Sequence, residues 1–139
     1  MFFKKDIAEE EGSELIKVGA LLIHAAKIDE NFSIDEEKII EEALLNLGAN
    51  KQNVKEIIIE SKIIEENANQ ILEFTKEVKS MEENKKIQII ETLWRIIYSN
   101  KDADIYETNL MRRLAGLLYI DNKTMGDIKE NIKNKNNSP

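Results

Sequence analysis

The chain has 139 residues, a length that fits one domain with a buried core. Hydrophobic residues make up 42% of the sequence and charged residues 34%, so the composition predicts a folded protein with a highly charged surface. The formal net charge is −7, which argues against general binding to nucleic acid or to an anionic membrane, because both favour a positively charged surface.

The absence of cysteine excludes a disulfide framework, a thiolate metal site and a thiol nucleophile, and it is consistent with the cytoplasm. The first residues, Met1–Lys5, lack the apolar region of a signal peptide. The most apolar stretch, Val18–Ala26, is interrupted by His24 and is shorter than the ~20 residues of a membrane span. We therefore expect a cytoplasmic protein that does not cross a membrane.

Apolar residues recur at helical spacing along most of the chain and predict about seven helices. Ser13 is the predicted N-cap of the first helix, which ends near Ile28. Small residues on this helix, among them Gly19 and Ala20, would let another helix approach closely. A second helix runs from Ser33 to a C-terminal stop at Gly48.

The third helix is predicted from about Lys51 to Glu66, although its Ile57-Ile58-Ile59 run has strand propensity. A short fourth helix carries Phe74 and Val78 inward. Before the fifth helix, the charged run Glu82–Lys86 is typical of solvated helix surface.

The fifth helix has a broad apolar stripe that includes Trp94, which predicts a central helix with Trp94 in the core. The sixth helix turns a leucine-rich face inward and carries Arg112 and Arg113. A last helix begins near Asp121, and the polar segment Lys133–Pro139 is predicted to be disordered. The domain prediction is a short N-terminal segment at 1–12, one helical domain at 13–134 and a flexible tail at 135–139.

One eight-residue polar stretch occurs twice, first as Asp29–Glu36 and again, 71 residues later, as Asn100–Glu107. In the first copy Ser33 and Glu36 have the spacing of a capping box, in which a hydroxyl and a glutamate each bond the other residue's backbone N–H. Asp104 and Glu107 repeat that spacing. We interpret the chain as an internal duplication, in which helices one to three match helices five to seven and the fourth helix links two antiparallel halves of an all-α bundle.

These two corners contain the candidate metal ligands Asp29, Glu36, Asn100 and Glu107. Carboxylate and amide oxygens suit a hard divalent cation such as calcium or magnesium, and pseudo-two-fold packing of the halves would bring the four side chains together. The alternative is that the glutamates only cap helices and no metal binds. His24 is the single histidine, so a zinc site is not expected, and a packing role with one satisfied ring nitrogen fits its apolar neighbours.

The corners, together with the stretch Tyr106–Leu118 that has a glutamate, paired arginines and a leucine-rich helix, resemble the TerB family of bacterial tellurite-resistance proteins. The sequence departs from the family pattern at Glu30 and Lys101, which replace a glycine, and at Asn100, which replaces the second aspartate. The resemblance implies an all-α domain of about seven helices and a cytoplasmic role in metal or chemical stress. It also implies acidic residues that bind a divalent cation, and no enzymatic activity.

The sequence therefore favours a non-catalytic TerB-like module that docks a protein partner and carries a candidate divalent-cation site. The alternative is a purely structural or protein-interaction domain without a metal site. An enzyme would require a pocket that holds His24 or a carboxylate with a shifted pKa.

Overall fold

The computed structural model describes the backbone of residues 2–27, 33–68, 72–98 and 105–137. Side chains are described for 12–27, 33–68, 73–98 and 108–135. The described residues form seven α-helices and no strand, which confirms the predicted all-α class. The helices are α1 (Phe2–Ala26), α2 (Ile34–Asn46), α3 (Val54–Asn67), α4 (Leu72–Val78), α5 (Glu83–Tyr98), α6 (Ile105–Leu117) and α7 (Asn122–Asn137).

Two helices organise the core. α1 packs against α2, α3, α4 and α5, and α5 packs against α1, α2 and α7. The prediction of a central α5 is confirmed by its fully buried Ile89, Ile90 and Leu93, with Trp94 also in the core. The Ile57–Ile59 run is helical as predicted. Ile57 and Ile58 both face the core while Ile59 is exposed, which fits a helix and not the alternating faces of a strand.

α1 approaches α3 closely at Gly19. A Cβ atom at this position would lie 2.2 Å from Ser61 Oγ and 2.9 Å from Ser61 Cβ. The Ser61 hydroxyl is fully buried and lies 3.0 Å from the carbonyl oxygen of Ile16 and 2.6 Å from that of Ile57. The predicted role of small residues in α1 is therefore confirmed at Gly19, where the missing side chain makes room for a buried hydroxyl.

The ends of α2 and α6 follow the predicted repeat. Adding 71 to the bounds of α2 gives the bounds of α6. Gly48 and Tyr119, also 71 apart, both have positive φ. The N–H of Ala49 bonds the carbonyl of Leu44 at 2.9 Å, and that of Ile120 bonds the carbonyl of Ala115 at 2.9 Å. Equal turns at equal spacing support the interpretation as a duplication.

The segments at the starts of α3 and α7 share one hydrogen bond at matching positions, although α7 begins at Asn122, three residues earlier in the repeat than α3 at Val54. Asn50 Oδ1 accepts a hydrogen bond from the N–H of Asn53 at 2.9 Å. At the positions 71 residues later, Asp121 Oδ1 accepts one from the N–H of Thr124 at 2.7 Å. Thr124 lies in the first turn of α7, where its N–H has no partner within the helix. Asn53 precedes α3, and its N–H also bonds the carbonyl of Asn50 at 3.2 Å.

Three local predictions were wrong. Ser13 is not an N-cap but lies inside α1, which begins at Phe2, because the helix formers of residues 4–11 extend it past Gly12. Lys86 is not solvated: it is buried, and its ammonium group donates a hydrogen bond to the carbonyl of Leu118 at 3.2 Å. The segment from Lys133 is not disordered from its start, because α7 continues to Asn137.

Candidate functional site at the corner before α2

The corner before α2 holds a buried carboxylate in a defined position. Ser33 caps α2 with extended backbone angles, and its Oγ accepts a hydrogen bond from the N–H of Glu36 at 3.1 Å. In return, Glu36 Oε1 accepts a bond from the N–H of Ser33 at 2.9 Å. The Glu36 residue is 2% exposed. The predicted capping box is therefore present, and it fixes the orientation of this carboxylate.

The first turn of α2 concentrates negative charge. Asp35, Glu36 and Glu37 follow one another there, at the helix end where unpaired N–H groups and the helix dipole favour anions. Glu37 forms an ion pair of 2.5 Å with Lys62 of α3. The acidic turn is thus stabilised by its own helix and tied by one lysine to the neighbouring helix.

The end of α1 is tied to the same helix. Lys27 Nζ lies 2.7 Å from Glu65 Oε1, and His24 Nδ1 lies 3.3 Å from Glu65 Oε2. The ring of His24 also lies 6.3 Å from that of Phe74. His24 is therefore the half-buried packing residue that the sequence predicted, with one ring nitrogen bonded. Since α1 and α2 both contact α3, that helix supports both sides of the corner.

The four candidate ligands differ in what the structure describes. Glu36 is buried at the corner, as above. Asp29 and Asn100 lie outside the described residues, and of Glu107 only the backbone is described, in the first turn of α6. Within the described part of the chain, no group of three or more histidine, aspartate or glutamate side chains could hold a metal ion. A shared site of Asp29, Glu36, Asn100 and Glu107 therefore stays a prediction.

Trp94 of α5 lies in a mainly packed environment in the second half of the chain. Its ring stacks on Tyr98 at 5.8 Å between centroids, and Lys129 Nζ lies 5.4 Å from its centroid. Trp94 Nε1 is the only buried side-chain nitrogen or oxygen of the described residues that has no hydrogen-bond partner. The predicted core role of Trp94 is confirmed, and its packing rather than a polar contact holds it.

Sequence reasoning missed the contribution of Glu65. This carboxylate joins His24 and Lys27 across about forty residues of sequence, and neither partner stands in a local motif with it. Only its position on the helix carries a signal: Glu65 lies four residues after Ser61, so both are on the face of α3 that meets α1. A long-range pair of this kind becomes visible only when helix packing is known.

The carboxylate of Asp121 is held by hydrogen bonds at the start of α7. The backbone N–H and the hydroxyl of Thr124 both donate hydrogen bonds to its carboxylate and hold the pKa of Asp121 below its ordinary value. Lys123 adds a smaller effect in the same direction. The cause is helix capping, since Asp121 precedes the first residue of α7.

Among the described residues, no helix is both long enough and apolar enough to cross a membrane. The family model described as tellurite resistance protein TerB matches residues 15–130. Comparison with curated proteins gives no match, and comparison with solved structures gives none either.

Proposed function

Because the chain belongs to the TerB family, we propose that it is a non-catalytic helical module that binds a divalent cation at its acidic corner and docks a protein partner. Its setting in this proposal is the response of a bacterial cell to metal or chemical stress, in the cytoplasm. The cysteine-free composition is compatible with that compartment.

The observation that carries the cation proposal is the placement of Glu36. A carboxylate that is 2% exposed and held by a backbone N–H at 2.9 Å loses little conformational freedom when it binds a cation. Hard cations such as calcium and magnesium bind carboxylate oxygens, and the adjoining acidic turn adds negative charge. In this proposal Asp29, Asn100 and Glu107 supply the remaining oxygen ligands.

The non-catalytic part of the proposal is supported by the surroundings of His24. Its Nδ1 bonds Glu65, and its ring packs on Phe74 of α4, which is a structural environment. The neighbouring Lys27 shares the same carboxylate. These contacts give His24, the single histidine of the chain, a structural role that does not require a catalytic one.

A second candidate function is a structural or protein-interaction domain without a metal site. It is favoured by the completeness of the capping box, because both hydrogen bonds between Ser33 and Glu36 are formed and give Glu36 a structural role. The two candidates differ in one measurable property, which is whether cations stabilise the fold.

The test is thermal unfolding of the purified chain in the presence of calcium, magnesium, manganese or zinc ions. A bound cation raises the melting temperature, since a ligand that binds only the folded state stabilises it by mass action. We expect such a rise with at least one of these cations, and its loss in Asp29→Asn and Glu36→Gln.

Asp35→Asn is the matched control. Asp35 is exposed and belongs to the same turn as Glu36, and its substitution removes the same charge. It should retain most of the response. A melting temperature that none of the cations changes at millimolar concentration would refute the cation site and leave the structural alternative.

A further inference from the structure

The outward face of α6 carries a cationic surface in a protein of net charge −7. Arg112 and Arg113 are both exposed, and neither forms an ion pair with any residue that the structure describes. Lys79, which follows α4, lies 4.6 Å from the ring centroid of Tyr119. We call Lys79, Arg112, Arg113, Gly116 and Tyr119 the α6 face.

Helical spacing aligns the members of this face. Arg112 and Gly116 are four residues apart, so they lie on one side of α6, and Tyr119 follows in the turn after the helix. The N–H of Tyr119 still bonds the carbonyl of Gly116, at 3.4 Å, which keeps the turn against the helix. At 1.5 Å per residue, Arg112 and Gly116 are about 6 Å apart along the axis, and Tyr119 lies just beyond the end of α6.

Two residues of the α6 face are unfavourable for local structure. Gly116 lies inside a helix, where alanine would be more stable, and a Cβ atom there would meet nothing within 4 Å. Tyr119 has φ of 59°, a left-handed conformation that suits glycine, and it is 69% exposed. Neither residue is explained by packing in the core.

The matching positions of α2 show that the same turn forms without these features. Gly48, 71 residues before Tyr119, supplies positive φ without a side chain, and Leu45, 71 before Gly116, packs against the core. Glu41 and Glu42 stand where α6 has Arg112 and Arg113. The α6 face therefore differs from its counterpart in charge, in shape and in backbone strain, and strain of this kind concentrates at functional surfaces.

We propose that the α6 face docks an acidic helical segment of a partner protein. Carboxylates of that segment pair with the guanidinium groups of Arg112 and Arg113, which present two donors each to a planar acceptor. The bare backbone at Gly116 lets the partner approach closely, and the exposed ring of Tyr119 covers its apolar residues. This inference rests on the partner docking of the proposed function and names the surface and the chemistry that perform it.

The test uses a fluorescent synthetic peptide, an amphipathic helix with glutamates on its polar face, and measures its binding to the full chain by anisotropy. A peptide with lysines at the glutamate positions is the probe control. We expect the acidic peptide to bind and the double charge reversal Arg112→Glu/Arg113→Glu to weaken binding by at least about tenfold. Lys38→Glu/Lys55→Glu, which reverses two exposed lysines on α2 and α3, should change affinity far less.

Two shape variants separate docking from a structural role. Gly116→Leu fills open space and Tyr119→Gly relieves positive φ, so neither should lower the melting temperature. Both should weaken peptide binding several-fold, which a merely structural role would not produce. Unchanged binding in both variants would overturn the proposal.

Three further outcomes would also count against it: no binding of the acidic peptide, equal binding of the lysine peptide, or a concentration-dependent dimer in sedimentation that the arginine reversal abolishes. The last outcome would assign the α6 face to a second copy of this chain. The Asp29→Asn and Glu36→Gln variants should bind the peptide normally, so failure of the cation site and failure of the α6 face are distinguishable.

Discussion

The close contact of α1 with α3 makes Gly19→Ala the most informative single substitution. The added Cβ atom would lie 2.2 Å from Ser61 Oγ and 2.9 Å from Ser61 Cβ, distances that require a shift of the serine or of the helices. Helix propensity alone would favour alanine by about 1 kcal/mol. The sign of the measured change therefore decides whether packing or propensity dominates here.

The expected magnitude follows from three contributions. Overpacking costs about 1–3 kcal/mol, and displacing the buried Ser61 hydroxyl from its carbonyl acceptors costs a further ~1–3 kcal/mol. After the propensity gain is subtracted, we expect the free energy of unfolding to fall by about 3 kcal/mol. For a chain of this size the melting temperature would then fall by roughly 10 °C.

Urea unfolding of a double-mutant cycle measures the coupling between the two positions. Ser61→Gly removes both clashing atoms, so Gly19→Ala should cost much less in that background, with a coupling above about 1 kcal/mol. Gly126→Ala is the matched control, because it also lies in a helix but a Cβ atom there meets nothing within 4 Å. It should stabilise the fold by about 0.5–1 kcal/mol. A neutral or stabilising Gly19→Ala, or strict additivity with Ser61→Gly, would refute the packing argument.

Two other predictions concern helix ends. Ser33→Ala removes the acceptor for the N–H of Glu36 and should lower the free energy of unfolding by about 1 kcal/mol. Ser13→Ala should not lower it, because Ser13 lies inside α1. Equal losses in urea unfolding would mean that Ser13 caps a helix after all. Asp121 has a folded-state pKa below its unfolded value, so its charge stabilises the fold above the unfolded pKa, and this is lost as pH falls through the folded pKa. Asp121→Asn should therefore be less stable than the parent at neutral pH, with a difference that shrinks below about pH 4; a difference independent of pH would contradict the role of the charge.

Much of the fold was predictable because helix periodicity is a local property. Helical spacing predicts the apolar stripes of α2 to α6 and the glycine at position 48 predicts the stop of α2, and the structure confirms both. The failures have local causes as well. Gly12 and Ser13 look like a helix start, yet a longer run of helix formers on their N-terminal side carries α1 through them.

The candidate site was predictable only in its local part. The capping box of Ser33 and Glu36 depends on residues three apart, so the spacing identified it and the structure confirms it. The pairing of Glu65 with His24 and Lys27 depends on how α1 lies on α3, and no spacing rule contains that information. The burial of Lys86 has the same kind of cause, because its ammonium group bonds the carbonyl of Leu118, which follows α6 and lies far along the chain.

The corner before α2 separates what the sequence determines from what the tertiary structure determines. The sequence by itself determined that a polar stretch recurs at an offset of 71 residues and that each copy ends in a glutamate with capping-box spacing, because both properties depend only on position along the chain. Only the tertiary structure decided that Glu36 is buried and that α3 supports both sides of the first corner. Burial depends on which helix packs over a residue, and helix packing is the sum of contacts between residues far apart in sequence.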